Sequence, residues 1–210
     1  MTTGGTRHAV KILILKPSSL GDVVQALPVL RLLKLHRPDS EVYWWIDSSL
    51  APLLEGDPDL AGLVHFHRKR WTSPRHWPEI ARTVRWLREQ HFDVVIDLQS
   101  LMRTGIFAWL ANSGLAIGLD EAREGARGLY DIVVNRPSRM THAVDWYLRV
   151  PPVLGAPVHR NFDWIPVRPA AAAAVREPSR SGLEDPDRDT MRCTRSQVQE
   201  ARGIHLRPAD

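Results

Sequence analysis

Apolar and polar positions switch between two periods along the first three-quarters of the chain. Residues 10–15 form a continuous β-prone run, as expected of a strand covered on both faces. Residues 19–36 then carry Val23, Val24, Leu27, Leu30 and Leu33 at helical spacing. Pro28 falls inside that span and predicts a bend or a break. Arg37-Pro38-Asp39 is a stop and turn signal, and residues 41–46 read as a second strand. The spacing predicts a short helix over 49–55, a third strand over 62–67, and a helix over 78–90 with Ile80, Val84 and Leu87 on one face. A fourth buried-type strand over 92–98 precedes a helix over 104–111, short strands at 115–118 and 132–134, and a helix over 142–149 that Pro151-Pro152 interrupts. Such alternation predicts an α/β fold, a doubly wound parallel sheet of the Rossmann-like kind, over residues 10–168.

Beyond residue 168 the pattern stops. An alanine run gives way to few large apolar residues and to charges of both signs without a period. Such a segment cannot bury enough apolar surface to offset its ordering entropy, so 169–210 is expected to be a disordered or aberrant tail, and 1–9 a disordered N-terminus. The 210 residues carry a formal net charge of +4, a mild preference for acidic partners. Lysine occurs only at Lys11, Lys16, Lys34 and Lys69, so the positive charge is nearly all arginine and an isolated arginine carries little weight. The single cysteine, Cys193, excludes an internal disulfide framework and a cysteine-based zinc site, which fits a reducing, cytoplasmic setting. The N-terminus lacks the apolar core of a signal peptide, and no run approaches the roughly 20 apolar residues of a membrane span. The expected location is the cytoplasm, with peripheral contact to a membrane surface still open.

The candidate chemistry lies in KPSSLGDVV, residues 16–24. Ser19 and Asp22 match a capping box, and a carboxylate in a first helical turn complements the helix dipole. The same Asp22 stands at the carboxyl end of the first strand, where α/β sheets bind ligands, and a carboxylate there can accept a proton from a substrate hydroxyl. The local pattern favours the cap and leaves the base open. The loop has one glycine, so it is neither a G-x-G-x-x-G nor a G-x-x-x-x-G-K-[ST] phosphate loop. Its amides at Ser18, Ser19 and Gly21 can still receive an anion at the helix N-terminus.

The run His67-Arg68-Lys69-Arg70-Trp71 is either a solvated loop or a site for phosphate or carboxylate, which arginine's forked donors suit. Arg103 and Arg123 are candidates on the same grounds. Trp44, Trp45, Trp71, Trp77, Trp86 and Trp109 are expected to be packing residues rather than sugar platforms, although Trp71 and Trp77 flank the basic run. His142 opens a helix and is assigned a structural role. The histidines form no convincing ligand set, so no metal and no cofactor is expected. The positive charge is too sparse for a nucleic-acid binder.

KILILKPSSLGDVVQALPVLRLLK resembles the N-terminus of the heptosyltransferases, the family 9 glycosyltransferases of GT-B fold. EVYWWID, FDVVIDLQSLMRTG, GLDEAREG and HAVDWY resemble further family segments in order, so the likeness covers residues 10–168. Within the family it leans towards the enzymes that add the first heptose to Kdo of lipopolysaccharide. The resemblance implies two Rossmann-like domains, an N-terminal one for the acceptor and a C-terminal one for the sugar nucleotide. It implies Asp22 as general base, deprotonating an acceptor hydroxyl that attacks ADP-heptose with inversion and without a metal. It further implies an acidic lipid A–Kdo acceptor met by Arg68, Lys69, Arg70, Arg103 and Arg123, and work at the cytoplasmic face of the inner membrane. With the resemblance counted, the base is favoured, and one residue can serve both roles. No second strand–helix series follows residue 169, so a missing donor domain, a truncated or frameshifted tail and an inactive isolated chain are expected. The competing reading is a non-catalytic Rossmann-like module that binds an acidic glycan or nucleotide.

Overall fold

The structure is a computed structural model and describes residues 9–67, 71, 73–120, 125–161 and 163–165. Its centre is a six-stranded sheet in the order β3-β2-β1-β4-β5-β6, with every pair parallel. The strands are β1 (Lys11–Leu15), β2 (Glu41–Asp47), β3 (Gly62–Phe66), β4 (Val94–Asp97), β5 (Leu115–Leu119) and β6 (Ile132–Val134). The helices are α1 (Leu20–His36), α2 (Trp77–Glu89), α3 (Met102–Leu110) and α4 (Ala143–Tyr147). The expected doubly wound α/β architecture is therefore present, and each expected strand appears within a few residues of its expected bounds. The 49–55 segment holds only a 3-10 turn, Ala51–Leu53, and His67 lies just beyond β3. The expected ends of β4 at 92, 93 and 98 fall outside the ladder.

Side-chain alternation along the strands sorts the core into two layers. Ile12, Ile14, Val42, Trp44 and Ile46 point to the α1 side, where Val23, Leu27, Leu30 and Leu33 meet them. Leu13, Leu15, Trp45 and Val95 point to the α2 and α3 side, against Leu87, Phe107 and Ala108. Because strands buried on both faces need no polar positions, β1 and β4 read as near-continuous apolar runs.

Helix α1 continues through Pro28 without a break. The proline lacks the amide that would bond back to the preceding turn. Burial holds the helix together: from Ala26 to Leu33 every residue is buried, with the sheet on one side and Val144 and Leu148 beside Leu32 on the other. Arg31 is also buried here and grips the β2–β3 connection: Nη2 donates to Asp57 at 2.5 Å and Nη1 to Asp59 at 2.5 Å.

The chain leaves β1 for β2 and β3 on one side, then returns to β4 on β1's other flank. A crevice therefore opens beyond the carboxyl ends of β1 and β4, the place where the strand order reverses. Among the described residues no helix is long and apolar enough to cross a membrane.

Candidate functional site

The first wall of the crevice is the loop leaving β1. Lys16 is buried and held from both ends: Trp44 Nε1 donates to its carbonyl at 3.1 Å, and its ammonium donates to Leu98 O at 3.2 Å. That ammonium also lies 5.2 Å from the centre of the Tyr147 ring. Asp22, in the first turn of α1, reaches back to the loop. Its Oδ2 accepts from the Ser19 amide at 3.2 Å and from the Ser19 hydroxyl at 3.1 Å, and sits 3.9 Å from Lys16 Nζ. Among the described residues, Oδ1 accepts no hydrogen bond, and the Asp22 side chain is 40% exposed. The carboxylate thus caps with one oxygen, and the side chain lines a cavity of about 240 Å³ together with Lys16, Gln99, Leu101, Arg136 and Tyr147.

The second wall is the loop leaving β4, which a buried carboxylate organises. Asp97 Oδ1 accepts from the Gln99 amide at 2.9 Å and the Ser100 amide at 2.8 Å, while Oδ2 accepts from the Tyr130 hydroxyl at 2.8 Å. Ser100 adopts a left-handed backbone, φ 50°, and its hydroxyl accepts from the Leu119 amide at 2.7 Å while donating to Asp97 O at 2.7 Å. Burial pushes the Asp97 carboxyl above its ordinary value of 3.8, and the bonds from Ser100, Thr104, Tyr130 and Gln99 offset part of that rise. Burial and the neighbouring Asp97 both push the Tyr130 phenol up, so it stays protonated and remains the donor.

This knot aims Gln99 and Leu101 at the crevice and places Arg103 and Thr104 along a second cavity of about 240 Å³, with Ser18 and Phe66 on its other side. Gln99 stands between the two cavities, and its buried Oε1 has no hydrogen-bond partner among the described residues.

Of the residues singled out from the sequence, Ser18, Ser19, Gly21 and Asp22 gather at the crevice, and Arg103 lies exposed beside its second cavity. Arg68, Lys69, Arg70 and Arg123 lie outside the described residues. Lys16, Gln99, Arg136, Tyr147 and the Asp97–Tyr130 pair were not singled out. A lysine directly after the apolar run of residues 12–15 was the one local signal for Lys16. The tryptophans divide. Trp44 and Trp45 are fully buried, and Trp71 packs edge-on to Phe66 at 5.1 Å and beside Phe107 at 5.5 Å. Trp86 meets Tyr43 at 6.1 Å. Trp77 and Trp109 are 65% and 62% exposed, contrary to the packing role expected for them. His142 caps α4, its Nδ1 accepting from the Val144 amide at 3.4 Å.

Comparison with known proteins bears on what such a crevice serves. Residues 80–174 match the sequence model of glycosyltransferase family 9 (heptosyltransferase). Lipopolysaccharide heptosyltransferase 1 of Pseudomonas aeruginosa is 27% identical over 143 residues, which are 65% of this chain and 38% of that protein. The structure superimposes on E. coli heptosyltransferase WaaC with ADP-2-deoxy-2-fluoro heptose at a TM-score of 0.64 and 26% identity, covering 74% of this chain and 52% of the other. The chain is thus similar to the heptosyltransferases of glycosyltransferase family 9. A further family relative, lipopolysaccharide heptosyltransferase 1 of Campylobacter coli, is 30% identical over 100 residues, 46% of this chain and 27% of that protein. The chain thus spans about a quarter to two-fifths of the length of these two curated heptosyltransferases.

Proposed function

We propose that residues 10–168 form the acceptor-binding half of a heptosyltransferase and that Asp22 is its general base. In this reading an acceptor hydroxyl enters the crevice and lies against Asp22 Oδ1. As the oxygen attacks the anomeric carbon of ADP-heptose, its proton passes to the carboxylate, ADP leaves from the opposite face, and the configuration inverts. The observation that carries the reading is the division of labour within one side chain that lines the cavity at the switch point: Oδ2 is committed to Ser19, and Oδ1 accepts no hydrogen bond among the described residues.

The acceptor is the acidic Kdo–lipid A portion of lipopolysaccharide, an assignment that the names of the curated relatives support. Arg103, with Arg68, Lys69, Arg70 and Arg123, supplies charge to its carboxylates and phosphates. The amides of Ser18 and Gly21 face the donor phosphates at the N-terminus of α1, beside the Ser19 amide that Asp22 holds. The reaction takes place in the cytoplasm, at the inner face of the membrane that holds the lipid-linked acceptor. Positioning supplies much of such catalysis, so transfer requires a donor-binding half beside this one.

The test joins residues 1–168 to the remaining half of the E. coli relative and follows heptose transfer from ADP-heptose to Kdo–lipid A. Transfer that weakens through a higher acceptor KM on Arg103→Ala supports the reading. Tight acceptor binding without any transfer favours the binding-module alternative.

A further inference from the structure

Helix α3 has its polarity inverted. Its inner face is buried, with Thr104, Gly105, Phe107 and Ala108 turned to the core. Its outer face should then be polar, because an ordinary surface helix turns charged residues to water. Instead the outward positions are Met102, Ile106 and Trp109, 39%, 41% and 62% exposed, and they fall one or two turns apart along a single stripe. The remaining exposed side chain on the helix is Arg103, and α3 contains no carboxylate.

The neighbouring helix supplies charge of one sign. Helix α2 packs on the same face of the sheet, and Arg88 Nε donates to Leu110 O at 2.9 Å, tying the two helices together. Its exposed side includes Arg82, Arg85 and Arg88, against one exposed carboxylate, Glu89, which pairs with Arg85. Trp77 at its start is 65% exposed.

We propose that the outer faces of α3 and α2 dock on an anionic lipid surface, α3 sinking its Met102–Ile106–Trp109 stripe among the acyl chains while the arginines meet the headgroups. The chemistry matches on both counts. Tryptophan and long aliphatic side chains settle at the boundary between headgroup and hydrocarbon. Arginines around them draw the helix to negative charge. Geometry adds a reason: α3 begins at the crevice, with Leu101, Arg103 and Thr104 lining its second cavity. A lipid-linked acceptor would therefore rise beside the site that takes its sugar, a consequence that rests on the acceptor reading above.

Flotation of the full chain with vesicles tests the proposal without requiring turnover. Binding to phosphatidylglycerol–phosphatidylcholine vesicles is expected, with little binding to phosphatidylcholine alone. Ile106→Ser with Trp109→Ser should lower the partition about tenfold or more through lost apolar burial. Arg82→Ala and Arg85→Ala should lower it about fivefold each, and more at low salt. Circular dichroism of each variant confirms that these exposed changes leave the fold intact. Unchanged partition of the Ile106/Trp109 variant overturns the proposal, as does absence of binding by the parent. A parent dimer that the same variant converts to monomer, without a change in vesicle binding, also overturns it and assigns the stripe to a second copy. Vesicle binding by a chain that transfers no sugar even when joined to a donor-binding half leaves this proposal standing and counts against the catalytic reading alone.

Discussion

Lys16 Nζ lies 3.9 Å from Asp22 Oδ2, the same oxygen that accepts both hydrogen bonds from Ser19. Lys16 is itself buried and anchored on Leu98 O, so its charge ties the β1 loop and the β4 loop to one carboxylate. Lys16, Ser19 and Asp22 all lie close together on the crevice wall, which makes the cap part of the site rather than a rival to it.

In the role proposed for Asp22 the cap and the reacting oxygen are different atoms, so the two can be separated by mutation. Ser19→Ala removes one bond to Oδ2 and leaves the carboxylate in place. Its expected cost is about 0.5–1 kcal/mol of stability, read by urea unfolding, with transfer retained to within about threefold.

Asp97 makes stability depend on pH. Burial raises its folded value above the ordinary 3.8 of the unfolded chain, so in the interval between the two the native state holds a proton that the unfolded state has lost. The contribution is full below 3.8 and is lost as pH rises through the folded value. Asp97→Asn keeps an acceptor for the Gln99 and Ser100 amides and has no proton to lose. Unfolding free energies measured across the acidic range should fall with rising pH in the parent and show a flatter profile in the variant.

Gly118 gives Tyr130 its place. A Cβ on Gly118 would lie 2.3 Å from the Tyr130 ring, and one on Gly105 would lie 2.9 Å from its hydroxyl. Gly118→Ala should therefore push the ring off Asp97 and destabilise the fold by about 1–3 kcal/mol, measured by thermal or urea unfolding.

Arg31→Met should be more damaging. It leaves Asp57, with a side chain only 3% exposed, without its cation, and removal of one partner from a buried pair costs about 3–5 kcal/mol. Replacing Arg31, Asp57 and Asp59 together by apolar residues of similar size should recover much of that loss, because no buried charge then remains.

The fold was legible because its signals are local and repeated. Strands such as β1 are near-continuous apolar runs, helix α2 carries Ile80, Val84 and Leu87 on one face, and Arg37-Pro38-Asp39 punctuates the chain. Pro28 does not break α1, because a single-residue preference is outweighed by burial on both sides of the helix, which no local window contains. Asp22 was legible as a cap-or-base choice, since both readings depend on its place after the first strand. Gln99, Arg136 and Tyr147 were not, because they reach the crevice from the loops after β4 and β6 and from α4 only once the sheet order is fixed. Asp97 was hidden for a related reason: its partner Tyr130 is 33 residues away in sequence. The exposure of Trp77 and Trp109 was missed because composition alone makes tryptophan a packing residue, and only the packed helices reveal which faces are left outside.

Asp22→Asn measures the central claim most directly. In the protein joined to a donor-binding half, single-turnover heptose transfer should fall by about 10²–10⁴-fold, the range a general base contributes. Acceptor affinity should stay within a few-fold, and the unfolding midpoint should shift only by the modest amount that a weakened cap entails. Transfer that survives within about tenfold, or a loss of transfer that tracks unfolding of α1, would contradict the account and leave Asp22 as a helix cap alone.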